Sequence, residues 1–321
     1  AAKHSAHNDN GFIDLDGAFR GSDWQFAYQF AESFNNLQGG FAASAGGTIS
    51  KESWFTGIRG RAISQNFNVD QVGFVPWIGT AQLVALSGPR WYYKEGTIRE
   101  IMIYGGGIYG YEDADKAPDY SGLIGYNMQF RSNWGFEINF NQGKSKDSDV
   151  KYNSTSINFS TWFNTSPKWN GNIWGGYEKT YNFSRGYLSF YSWLGSEFSW
   201  RALDILNIGS SINMFVEGNP DNKIEDITYN TRPYFSLTPI NDLNIRFYFD
   251  DVFVRSTDRF QQFIGGLLLS YNFLPKSWIY LAINELRDRS DEFDSAQILL
   301  PNRMHTTSRA GVFKIKYLYY F

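Results

Sequence analysis

The chain ends Val312-Phe313-Lys314-Ile315-Lys316-Tyr317-Leu318-Tyr319-Tyr320-Phe321, and this stretch decides the fold. On a β-strand, successive side chains point to opposite faces. Phe313, Ile315, Tyr317, Tyr319 and Phe321 therefore share one face, and Lys314 and Lys316 share the other, with Leu318 as the exception. An apolar face backed by lysines fits a strand with lipid on one side and water on the other. Such a terminal strand also suits an assembly signal for insertion of a β-barrel.

The same period of two recurs upstream. Phe136, Ile138 and Phe140 alternate with Glu137, Asn139 and Asn141; Leu243, Ile245, Phe247 and Phe249 alternate with Asn244, Arg246, Tyr248 and Asp250. A soluble sandwich alternates too, so strand length has to discriminate. The runs over 96–112, 187–202 and 259–273 exceed ten residues, whereas soluble strands average about five or six. Long tilted strands fit a crossing of an apolar band of about 25 Å, continued into an extracellular rim. The expected fold class is therefore all-β: an antiparallel transmembrane up-and-down β-barrel with about 16–18 strands in this chain, part of a larger barrel if the chain does not close alone.

Composition agrees. The 321 residues contain no cysteine, 19% aromatic residues and 31 glycines, with a formal charge of -3. That balance supplies no basic field for nucleic acid, and the lack of cysteine excludes disulfides and thiolate metal sites. No run approaches the roughly 18 apolar residues of a membrane helix, the best stretch being 264–269. Residues 1–10 are polar and carry no signal-peptide pattern. The mean hydropathy of -0.40 is uninformative, because a barrel places a polar residue at every second position. Trp77, Trp91, Tyr92, Tyr93, Trp134, Trp169, Trp200 and Trp278 gather at segment ends, as interfacial aromatic girdles do.

Tight connections near 132–134, 165–168, 202–204, 239–242 and 274–276 alternate with longer charged ones at 112–119, 144–149, 218–226, 256–259 and 288–307. Periplasmic turns and extracellular loops alternate in this way in an up-and-down meander. Counting back from a periplasmic Phe321 gives about seventeen strands, with the weakest assignment at 39–53. An odd count puts residues 1–10 in an extracellular loop ahead of a barrel over 11–321, and so predicts an N-terminal partner segment pairing with the strand near 11–20. A count off by one would instead pair that strand directly with 312–320.

One segment carries a family resemblance: Asn66-Phe67-Asn68-Val69-Asp70-Gln71-Val72-Gly73-Phe74-Val75-Pro76. It resembles a motif of an uncharacterised Bacteroidota outer-membrane family, in which a carbohydrate-binding family 9-like periplasmic domain precedes a C-terminal barrel. Trp77 stands where that family usually has arginine. The resemblance extends to the turn at 183–186 and the strand at 267–271, and implies that this chain is the barrel part.

Candidate chemistry is sparse. The histidines are His4, His7 and His305. His305 near Ser308 is geometrically open to a serine-hydrolase pair, and Asp250 with Asp251 to a carboxylate pair, yet polar strand ends near water explain both. His4 and His7 lack a third metal ligand. Gly105-Gly106-Gly107 precedes no helix and so makes no phosphate cradle. Asp14, Asp16, Arg59, Arg61, Glu137, Arg246, Lys314 and Lys316 are expected to face a wet lumen. No catalytic residue, cofactor or metal is assigned. The expected function is pore-like or transport-associated; the alternative is a non-enzymatic scaffold or accessory subunit of an outer-membrane assembly, secretion or uptake complex. Expected partners are outer-membrane lipid and lipopolysaccharide, the barrel assembly machinery during insertion, and other outer-membrane proteins.

Overall fold

The computed structural model describes residues 2–3, 10–35, 38–69, 75, 77–147, 150–293 and 299–318. Asp70, Gly73, Phe74, Pro76, Tyr319, Phe321, His4 and His7 lie outside them. A two-residue strand, β1 (Ala2–Lys3), precedes seventeen long ones: β2 (Asn10–Arg20), β3 (Trp24–Asn35), β4 (Gln38–Ser50), β5 (Trp54–Ile63), β6 (Thr80–Tyr92), β7 (Ile98–Glu112), β8 (Ala117–Phe130), β9 (Trp134–Asp147), β10 (Val150–Ser166), β11 (Trp169–Asn182), β12 (Tyr187–Leu203), β13 (Leu206–Gly218), β14 (Ile224–Ile240), β15 (Leu243–Val254), β16 (Arg259–Leu274), β17 (Ser277–Phe293) and β18 (Leu299–Lys316). The helical content of the described residues is one 3-10 turn at Arg255–Thr257. The glycine-rich segment near 39–53 is a full strand, β4, although small residues made it the weakest reading in the sequence.

The chain divides into two compact units, residues 1–131, 136–158 and 178–186 in the first and residues 132–135, 159–177 and 187–321 in the second. In the first, consecutive strands pair antiparallel, and the register aligns Asp16, Gln29, Ser44, Arg61, Gln82, Gly110 and Asp119 across β2–β8 on one face. The opposite face carries Ile13, Leu15, Phe19, Phe26, Phe30, Ile58 and Ile124, all exposed. In the second unit, the row Trp200, Ile208, Phe235, Phe247, Leu267, Ile283 and Gly311 is apolar. The neighbouring row on the other face is Ser199, Gly209, Tyr234, Tyr248, Gly266, Asn284 and Ala310. Polar and apolar faces thus alternate residue by residue, as the sequence pattern required.

What distinguishes this protein from a soluble one is which face is exposed. Among the described residues, the buried hydrophobic set is Ala31, Phe67, Val69, Tyr104 and Val216, while large apolar side chains stand out on the apolar face, with Phe313 64% and Ile315 58% exposed. A chain of this size buries most of its apolar surface when it folds in water. Here the apolar surface needs a lipid neighbour instead.

Turns at one end of the strands are short: Pro275–Lys276 joins β16 to β17, and Asn241–Asp242 joins β14 to β15. Lys276 takes the left-handed φ of 59° and Asn133, in the turn after β8, a φ of 60°. At the other end the sequence suggested long charged loops; connections remain at 113–116, 219–223 and 255–258, and the structure corrects the other two. Residues 144–147 belong to β9, and most of 288–307 belongs to β17 and β18. Their strands keep the ladder hydrogen bonds beyond the apolar stretch, where both faces are polar and the alternation that marks a strand in sequence is lost.

Candidate functional site

The long exception among the connections is residues 64–79, between β5 and β6. Its described residues, 64–69, 75 and 77–79, fold back over the polar face. Ser64 N donates to Phe41 O at 2.9 Å and Phe41 N donates to Ser64 Oγ at 2.8 Å. Asn68 N donates to Ser33 Oγ at 3.0 Å, and Ser33 Oγ donates to Gly40 O at 3.3 Å. The approach is so close that a Cβ on Gly40 would sit 2.2 Å from Phe67 N, so only glycine fits there. Phe67 and Val69 then bury against Ala31, with Phe12, Ala42, Ile63 and Val75 around them. The expected motif residues Asn66, Phe67 and Asn68 are thus the part that docks this segment, through small residues of β3 and β4.

Beside the docked segment lie two cavities on the polar face. One, of about 300 Å³, is lined by Asp14, Gln29, Arg59, Arg61, Phe67 and Val69 among others. Gln29 Nε2 donates to Asp14 Oδ2 at 3.1 Å. The other, of about 400 Å³, brings Arg61 and Trp77 together with Gln82, Glu112, Asp119 and Glu178. The Arg61 guanidinium stands 5.5 Å from the Trp77 ring centroid, a cation–π contact. Trp77, read from sequence as a girdle residue, therefore serves the polar face.

Acidic groups gather where β7, β8 and β9 reach this end. Burial pushes the Glu112 carboxyl above its ordinary value, and Asp115, Asp119 and Asp147 add to the shift. Burial also raises Asp119, partly offset by the hydrogen bond from Lys146 N, with Asp147 and Asp115 raising it further. Lys146 N reaches Asp119 Oδ1 at 2.9 Å, and Lys146 Nζ caps Asp115 O at 2.6 Å. Tyr152 donates to Asp147 Oδ2 and is pushed up to about 12, first by burial and then by that bond. The spacing of these acids in sequence gave no signal, because they come from three strands joined only by register.

Several other charges on the polar face are tied to neighbours. Glu137 accepts from Tyr104 OH and from Asn127 Nδ2 at 3.1 Å. The Arg246 guanidinium lies 4.1 Å from the Tyr234 ring centroid. Arg232 Nε donates to Asp250 Oδ2 at 2.9 Å. Lys314 pairs in register with Tyr280, and Lys316 with Trp278.

Neither candidate catalytic arrangement converges. Asp250 and Asp251, adjacent on β15, point to opposite faces; Asp251 accepts from Thr231 Oγ1 at 2.6 Å while Asp250 is held by Arg232. His305 Nε2 lies 3.4 Å from Ser290 Oγ, a serine other than Ser308, and its Nδ1 is 3.3 Å from Arg303 O. The carboxylate of Asp288, across the ladder from His305, accepts from Gln262 Nε2 at 2.9 Å and from Thr307 Oγ1 at 3.0 Å. Among the described residues, no group of three or more His, Asp or Glu could hold a metal ion.

No protein-family model and no curated protein matches the chain. Among solved structures, the ferric preacinetobactin receptor BauA of Acinetobacter baumannii is 9% identical with a TM-score of 0.52, over 92% of this chain and 64% of the receptor. An anion-selective porin from Comamonas acidovorans is 10% identical with a TM-score of 0.48, over 96% of this chain and 100% of the porin. The outer-membrane protein OmpT of Vibrio cholerae is 7% identical with a TM-score of 0.35, over 98% of each chain. The receptor likeness shows the fold: all-β, an antiparallel up-and-down meander of the outer-membrane β-barrel type.

Proposed function

We propose that this chain is a non-enzymatic outer-membrane protein with a pore-like, transport-associated role, whose polar face lines a water-filled passage for small polar solutes. In a barrel of this fold, the lipid-facing band is apolar and the interior is polar. The observation that carries the reading is the docked stretch 64–69. It puts Phe67 and Val69 over the polar face beside two cavities, one of them lined by Arg61, Trp77, Glu112 and Asp119. A polar interior narrowed by an infolded stretch admits small solutes and restrains larger ones. Opposed charges across that constriction orient dipolar solutes while giving modest net ion selectivity. On this reading the apolar face meets outer-membrane lipid, and the C-terminal strand of Phe313, Ile315 and Tyr317 is what the assembly machinery engages.

Conductance tests it. Purified, folded protein in planar bilayers is expected to form steady channels, and Gly40→Val, which drives a side chain into Phe67 N, to raise single-channel conductance by releasing the segment. Absence of channels in the parent protein would overturn the pore. Unchanged conductance in folded Gly40→Val would overturn the role of the segment as its constriction.

A further inference from the structure

The apolar face of β17 and β18 is interrupted by charge at one level. Ile283 and Phe313 are exposed there, at 49% and 64%. Two residues further along β17 from Ile283 comes Glu285, paired in register with Arg309, and then Arg287, paired with Thr306. Strand alternation puts Glu285, Arg287, Arg309 and Arg289 on the same side as Ile283 and Phe313. Arg287 Nη2 lies 2.6 Å from Glu285 Oε1 and Arg309 Nε lies 2.8 Å from Glu285 Oε2, so one carboxylate orders two guanidinium groups. Arg289 is fixed separately, its Nε donating to Phe260 O at 2.7 Å and its Nη1 to Asn302 O at 2.6 Å. Among the described side chains, three arginines against one glutamate leave a net positive patch. The side chains of Arg287 and Arg309 are still 49% and 72% exposed.

We infer that this patch binds the phosphate groups of a phosphorylated glycolipid in the outer leaflet, whose acyl chains lie down the wall over Ile283 and Phe313. Exposed charge on a lipid-facing wall is tolerated at the headgroup level and disfavoured in the hydrocarbon. The end of β17 and β18 that carries the patch is opposite the two-residue turn Pro275–Lys276, hence extracellular where short turns are periplasmic. Guanidinium groups held in a fixed orientation present paired N–H donors that match phosphate oxygens. A free anion lacks chains to occupy the apolar surface directly beneath, which favours a lipid.

The inference rests on the outer-membrane reading, and conductance measured on the same preparations separates failure of one from failure of the other. Native mass spectrometry of the full chain in detergent, titrated with bisphosphorylated lipid A, its dephosphorylated form, phosphatidylglycerol and inorganic phosphate, tests it. The phosphorylated glycolipid is expected to bind at least tenfold tighter than its dephosphorylated form. Arg287→Gln with Arg309→Gln should remove that preference, while Lys314→Gln on the other face should leave it intact. Equal binding of the two glycolipids by the parent protein overturns the inference, whether or not the double variant folds. Displacement of the lipid by millimolar phosphate, or a folded double variant that keeps the preference, also overturns it.

Discussion

Tyr248 on β15 reaches past β16 to donate its hydroxyl to Asn284 Oδ1 on β17 at 2.6 Å, and it can do so only because the residue in register between them is Gly266. A Cβ on Gly266 would lie 2.2 Å from Tyr248 Cζ. The same device recurs in the other unit. Tyr104 lies over Gly125, where a Cβ would lie 2.1 Å from the ring, and donates to Glu137 on β9. Aromatic rings laid across strand glycines thus brace the polar face and fill the gap that glycine leaves.

Gly266→Ala should therefore displace the Tyr248 ring and cost about 1–3 kcal/mol through overpacking. Tyr248→Phe should cost about 1 kcal/mol through the lost hydrogen bond. Denaturant unfolding in detergent, followed by gel mobility of the folded form, gives both values. A stable Gly266→Ala with an unmoved Tyr248 would remove the glycine from this role.

The C-terminal register makes a paired prediction. Ile315 pairs with Ile279 on the apolar face and Lys316 with Trp278 on the other. A charge on the lipid face costs about 2–4 kcal/mol at the midplane and less towards the interface, where Ile315 lies close to the short turn, so Ile315→Arg should depress assembly in the membrane more than Lys316→Arg. Comparable yields of folded protein from the two variants would refute the register.

The raised carboxyls of Glu112 and Asp119 set a pH dependence. Their folded values lie above the unfolded ones, so the folded state binds protons more readily. Stability from these groups is greatest at low pH and declines as pH rises through the raised values. Their negative charge at the constriction is lost, on acidification, at a higher pH than for ordinary carboxylates. Cation preference, read as reversal potential in a salt gradient, should fall on acidification and fall less in Glu112→Gln. A flat profile in the parent protein would contradict the placement of these acids beside the passage.

Much of the fold was legible because a period of two needs no tertiary information. Phe313 and Lys314, or Phe136 and Glu137, declare their faces from adjacency alone, and the strand number followed from turn chemistry. The candidate site was far less legible. Phe67 drew attention as part of a motif, but its docking depends on Ala31, Ser33 and Gly40, more than twenty residues away in sequence. Small residues there looked like weak strand, whereas they make room for a returning segment. Glu112, Asp119 and Asp147 converge only through the β7–β9 ends, and the charged strand ends around them lose alternation and so read as loops.

On the proposed reading, the apolar face meets lipid and the polar face meets water. Because the chain has no cysteine, single substitutions report on it cleanly. Cysteines placed in turn at 279 to 284 on β17, each carrying an environment-sensitive fluorophore, should be quenched by brominated lipid chains in reconstituted bilayers at Ile279, Leu281 and Ile283. At Tyr280, Ala282 and Asn284 they should be quenched instead by aqueous iodide. Quenching that fails to alternate along the strand, or that alternates with the opposite parity, would contradict the account.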